Sequence, residues 1–79
     1  MKSVLVMRLL RRSDGRYYAI FPPTRDLFGD RILITYHGSV HSKMGGVKTY
    51  FCASDEAIVE AEKRLTKTRL AHGYQEVPL

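Results

Sequence analysis

The rhythm of hydrophobic and polar positions changes once along this chain, near residue 53. Before that point apolar residues alternate with polar ones or form short blocks. The run Ser3 to Arg12, SVLVMRLLRR, is rich in β-branched and aliphatic residues and ends at Ser13-Asp14-Gly15, a turn signal. Tyr17 to Phe21, YYAIF, follows and stops at Pro22-Pro23, neither of which can donate to a sheet ladder. These two runs predict a hairpin. In Arg31 to His37, RILITYH, strand alternation sends Ile32, Ile34 and Tyr36 to one face and Arg31, Leu33, Thr35 and His37 to the other. Between these strands Gly29 can supply a positive φ in the connection TRDLFGD. The pair Gly45-Gly46 marks a turn, and Val47 to Ala53 returns as a fourth strand, with Lys48, Tyr50 and Cys52 opposite in facing to Val47, Thr49 and Phe51.

After residue 53 the period is helical. Ser54 is an N-cap residue, and Asp55 and Glu56 suit the positive end of a helix dipole. Ile58, Ala61, Leu65 and Thr68 recur at helical spacing, giving a narrow stripe able to cover one face of a sheet. Gly73 fits the left-handed position that ends a helix, and Tyr74 is placed to dock. The predicted architecture is α+β: a small antiparallel β-sheet of about four to five strands, with one long C-terminal helix packed across it. Residues 1–79 form a single domain, close to the lower size limit for an independent core.

Charge sharpens this picture. The chain carries +5 overall. Residues 1–50 hold nine Lys or Arg against three Asp or Glu, whereas residues 51–79 hold four against five. The basic excess therefore lies on the strand-rich part, where it can attract phosphates by counterion release or steer another anionic partner. A single cysteine, Cys52, excludes an intrachain disulfide and fits a reducing compartment. The apolar N-terminal run contains Arg8, is too short to span a bilayer and lacks a cleavage pattern. A soluble cytoplasmic protein without membrane association is expected.

Candidate chemistry gathers around His37 and His41, four residues apart. Four apart suits zinc on a helix, but in extended backbone the two would stand roughly 13 Å apart. No second Cys or nearby carboxylate completes a ligand set, so neither a metal nor another cofactor is expected. Cys52 sits among apolar strand residues as a small hydrophobe, no glycine-rich phosphate loop opens the helix, and the acidic residues are scattered. Catalysis is not expected. Nucleic-acid binding has more support, because cations accompany stacking groups: Arg31, Tyr36 and His37 on one strand, Lys43 in the turn, and Lys48 and Tyr50 on the returning strand. For any one tyrosine, packing within the sheet is the competing role. Tyr17 and Tyr18 face opposite ways, so at least one is structural. Arg8, Arg11, Arg12 and Arg16 are either a second basic patch or edge-strand charges that oppose aggregation.

The order RYYAI, DLFGDRILITYHG, a glycine-containing turn, a strand and an acid-capped helix ending in HGY resembles the WGR domain. That domain is named for a Trp-Gly-Arg signature and occurs in poly(ADP-ribose) polymerases and small stand-alone bacterial proteins. The resemblance covers roughly residues 4–74, and its most specific parts are Leu27-Phe28-Gly29, the spacing from there to Gly38, and Gly73-Tyr74. Where the family has the signature Trp this chain has His37; the Gly is kept as Gly38, and the Arg is replaced by Ser39. Two further family positions hold His41 in place of Gly and Arg31 in place of Trp. The resemblance implies a small antiparallel sheet with one helix, and a non-catalytic role at nucleic-acid ends, DNA ahead of RNA. Carried over, His37 would stack, Lys43 and Lys48 would hold phosphates, and the role of the signature Arg would be lost at Ser39. With Arg31, these form the expected nucleic-acid site: Arg31, His37, Lys43 and Lys48. The competing expectation is a protein-interaction adaptor that keeps the sheet but has lost nucleic-acid binding, and docks an acidic protein partner. A homodimer through a strand edge is compatible with either.

Overall fold

A computed structural model describes residues 7–78 of the chain. Among them are six strands and one helix: β1 (Arg8–Arg11), β2 (Arg16–Ile20), β3 (Thr24–Arg25), β4 (Arg31–Ser39), β5 (Ser42–Cys52), α1 (Asp55–Ala71) and β6 (Gln75–Glu76). All pairings are antiparallel. The strands lie side by side as β5-β4-β2-β1-β6, and β3 pairs with the start of β4 on the same side that β2 pairs with its end. This is the expected α+β fold, with α1 across one face. The first expected strand began at Ser3, so its first four residues lie outside the described ones.

The helix-facing side is decided by alternation. Leu10, Tyr18, Ile20 and Leu33 are buried there with Ile58, Ala61 and Tyr74, and Leu65 packs against them. Tyr18 is the core member of the Tyr17-Tyr18 pair, being 1% exposed. The capping expectations hold: the Ser54 hydroxyl accepts from the Ala57 N–H at 3.1 Å, and Gly73 adopts φ 90° just past the helix. One stripe member differs. Thr66, not Thr68, is buried, and the Thr68 hydroxyl instead donates back to the Arg64 carbonyl at 3.0 Å. Beyond Leu65 the stripe is continued by Arg69, whose guanidinium lies 4.1 Å from the centroid of the Tyr18 ring.

Three further points correct the reading of local structure. Gly45-Gly46 is not the hairpin turn. Both glycines lie inside β5, which starts at Ser42, and the chain reverses between Ser39 and Ser42, after a register shift at Gly38/Ser39. Lys43 is accordingly a strand residue. The two-residue strands β3 and β6 were not expected; each exists through its neighbour, β4 and β1 respectively. Ion pairs tie the layers together: Arg8 of β1 binds Glu62 of α1 and, at 2.7 Å, Glu76 of β6. Among the described residues, no helix is long and apolar enough to cross a membrane.

Candidate nucleic-acid interface

The distal hairpin of β4 and β5 is built on glycines because rings lie over them. A Cβ on Gly46 would stand 2.7 Å from His37 Cε1 and 3.0 Å from its Nε2, so the imidazole rests on the bare backbone of its cross-strand neighbour. On the other face a Cβ on Gly38 would stand 2.7 Å from the Tyr17 hydroxyl oxygen, and one on Gly45 3.2 Å from that of Tyr36. Gly38 and Gly46 therefore each hold the room that one ring occupies, whereas at Gly45 the His37 carbonyl oxygen, 2.7 Å from the Cβ position, is nearer than the Tyr36 hydroxyl. His41 lies elsewhere, its ring 2.7 Å from the Cβ position of Gly15. The two histidines thus rest on different glycines, one in the hairpin and one in the β1–β2 turn.

His37 projects to the helix side, and there the structure assembles a cleft. Arg16, His37, Gly38, Ser39, Arg69 and Tyr74 line an open cavity of about 430 Å³. Register explains the gathering: Arg16 pairs with Ser39 and Tyr18 with His37, so alternate residues of β2 and β4 meet on one face. Helix α1 contributes Arg69 from its last turn, and the segment after Gly73 contributes Tyr74. The Arg69 guanidinium lies over the Tyr18 ring, 5.7 Å from the centroid of Tyr74. Its Nε is buried and donates to nothing, and Arg69 takes part in none of the ion pairs among the described residues. The Arg16 side chain is 58% exposed and its guanidinium reaches Asp14 only at 3.5 Å, while the Arg16 backbone N–H donates to the Asp14 carboxylate at 3.1 Å. Asp14 is engaged more closely by Arg12 at 2.9 Å. Burial opposes the Asp14 charge, but the Arg16 N–H and the two guanidiniums outweigh it and hold its carboxyl below the ordinary value.

Beneath the helix three hydroxyls converge. Burial first, and then the Tyr18 hydroxyl, pushes the Tyr50 phenol up. Tyr18 and Thr35 are near enough for Tyr50 to feel them, yet neither hydroxyl meets a partner at good hydrogen-bond geometry. Tyr50 is therefore a helix-side packing residue and not an exposed stacking group.

The four expected binding residues divide. His37 is exposed and central to the cleft. Lys48 is exposed on the same side of the sheet, paired with Thr35 one alternation away. Lys43 is exposed near the hairpin end. Arg31 is not with them: it sits six residues from His37 along β4, roughly 20 Å in extended backbone. Its Nε binds Asp55 at 2.8 Å, fastening the start of α1 to the sheet. Arg16 and Arg69 are cleft residues that sequence reasoning did not place there. The signal for Arg69 was a cation on the apolar stripe, four residues after Leu65. For Arg16 it was its alternation with Tyr18 and Ile20, which puts it on the core side.

Comparison with protein-family models, with curated proteins and with solved structures gave no match.

Proposed function

We propose that this protein is a small, non-catalytic nucleic-acid-binding module, with DNA ahead of RNA, and that the cleft beside His37 receives a phosphate. The observation that carries the reading is Arg69. It is a guanidinium held in place by two aromatic rings, without a carboxylate, facing a cleft shared with Arg16 and His37. A fixed, unneutralised guanidinium can donate two parallel hydrogen bonds to two oxygens of an oxyanion, and phosphate is the anion that a +5 chain meets along a nucleic acid. Lys48 and Lys43 extend the positive surface along the hairpin, so that more than one phosphate is in reach. The His37 ring, lying on Gly46, offers a face to a base or sugar at the bound end. The resemblance to the WGR domain supports the same use of this position, and the sheet with one helix is the architecture it implies. A cytoplasmic setting fits the single free thiol of Cys52.

The test is a salt titration of binding to a short oligonucleotide. The logarithm of affinity should fall linearly with the logarithm of salt concentration. Replacing Lys43 and Lys48 together with Ala should flatten that slope by roughly one to two units. No binding at low salt would refute the proposal. The adaptor reading draws support from β5, an eleven-residue strand that among the described residues is paired on one side only, with Val47 and Phe51 64% and 70% exposed. Such an edge can add a strand from a protein partner. Pull-down with nuclease treatment separates the readings, because a partner bridged by nucleic acid is lost on digestion.

A further inference from the structure

The sheet face turned away from α1 is organised in rows. Register places Leu9, Ala19, Tyr36 and Val47 across β1, β2, β4 and β5. The next row holds Gln75, Arg11, Tyr17, Gly38 and Gly45. Tyr17 and Tyr36 are diagonal neighbours on adjacent strands, with ring centroids 5.9 Å apart and planes inclined by 32°. The hydroxyl end of each reaches over a glycine, Gly38 and Gly45 respectively, so backbone forms the floor beneath them. Both rings remain partly exposed, and Arg11, the cross-strand neighbour of Tyr17, is exposed. Neither row contains an Asp or Glu.

We infer that this face is a second contact surface, specific for unpaired nucleotides: successive bases stack on Tyr36 and Tyr17 while Arg11 holds a phosphate. The inference rests on the nucleic-acid reading above and adds the state of the strand. Stacking on a side chain needs a base whose π face is free, which a single strand offers and the interior of a duplex does not. Charge complementarity selects this occupant over a second copy of the chain. A copy seated on the same face would cover both Arg11 guanidiniums with no carboxylate in these rows to neutralise them, whereas a phosphodiester supplies the missing anion.

The chain has five tyrosines and no tryptophan, so tyrosine emission follows binding, and its change in Tyr36→Leu shows the share that belongs to this face. The experiment titrates an oligothymidine single strand and a hairpin duplex of equal phosphate number into the wild type, Tyr36→Leu and Tyr36→Phe. Circular dichroism confirms that each variant is folded, and light scattering follows mass. In the wild type the single strand should quench emission and bind about tenfold tighter than the duplex. Tyr36→Leu should lose that preference while keeping duplex binding, and Tyr36→Phe should restore it. Equal affinity for both probes in the wild type, or an undiminished preference in Tyr36→Leu, overturns this inference and leaves the cleft untouched. Failure of both probes to bind at low salt removes the nucleic-acid reading itself. A concentration-dependent mass increase that Tyr36→Leu abolishes assigns the face to a second copy, and also overturns the inference.

Discussion

Replacing Arg69 with Met should separate binding from stability. The substitution removes the guanidinium 4.1 Å from the Tyr18 ring but keeps an unbranched apolar stem in the same place. Lost are the cation–π contacts to the Tyr18 and Tyr74 rings, about 0.5–2 kcal/mol each. Relieved is a buried Nε that donates to nothing, a group whose desolvation costs about 1–3 kcal/mol. The Met sulfur regains about 0.3–1.5 kcal/mol against the aromatic rings. These terms nearly cancel, so stability should stay within about 1 kcal/mol of wild type, a shift of at most about 8 °C in Tm for a chain of this size. Binding has no such cancellation. A charge-assisted contact to phosphate is worth about 1.5–3 kcal/mol, so affinity should fall roughly ten- to a hundredfold. The salt slope should drop by about 0.7–0.9. Arg69→Lys should keep the slope while losing part of the affinity, because an ammonium neither stacks flat nor binds an oxyanion through two parallel bonds. The assays are thermal denaturation followed by circular dichroism, and fluorescence anisotropy across a salt series. Binding of Arg69→Met with unchanged slope would show that Arg69 holds no phosphate. Destabilisation of the variant by more than about 3 kcal/mol would instead make Arg69 a structural residue.

The remaining predictions concern the hairpin and the buried phenol. Gly38→Ala forces the Tyr17 ring to move and should cost about 1–3 kcal/mol in urea denaturation; in a Tyr17→Ala background the same change should be close to neutral, and equal costs in both would deny that the ring is the obstacle. Gly46→Ala should displace the His37 imidazole, visible as a large shift of its ring proton resonances, and weaken oligonucleotide binding several-fold with little effect on Leu10 or Leu33 in the core. In the folded state the Tyr50 phenol is raised by burial and by Tyr18, so its neutral form is favoured. Its contribution to stability is therefore fully present below the unfolded value near 10 and lost as pH rises through the higher folded value. Denaturation curves should show stability falling above about pH 10, less steeply in Tyr50→Phe; an unaltered slope in that variant would place the alkaline loss elsewhere.

The main architecture was legible because alternation and helical spacing are long-range signals in this chain. Leu33 and Thr35 separate from Ile32 and Ile34 by alternation, though both sets hold apolar residues and the pattern does not say which faces the helix. Ile58, Ala61 and Leu65 after Ser54 name the helix face. Strands β3 and β6 were not legible, since two residues cannot show a period and only β4 and β1 define them. The hairpin misled for a different reason. Glycine marks turns and also marks sites where something lies on the backbone, and Gly45-Gly46 serves the second purpose. Part of the cleft was hidden because Arg16 and Arg69 are 53 positions apart in the chain and meet only through the crossing of α1 over β2. The pairing of Arg31 with Asp55 was not legible, because Asp55 looked from sequence like a helix-dipole residue alone.

The pairing of β1 with β6 has a kinetic consequence. Arg8 and Glu76 are 68 residues apart, whereas β4 and β5 are joined by a tight reversal. Loop-closure entropy favours the hairpin first, and the edge that unites the two ends of the described chain can close only after most of the sheet exists. That edge is also short, held by Leu10 with Glu76, Arg11 with Gln75, and the Val77 N–H on the Leu9 carbonyl. Amide exchange should thus be fastest at Gln75 and Val77 and slowest along β4, which is flanked on both sides. The domain can therefore fray and re-close at the β6 edge while the hairpin that carries His37, Lys43 and Lys48 stays in register.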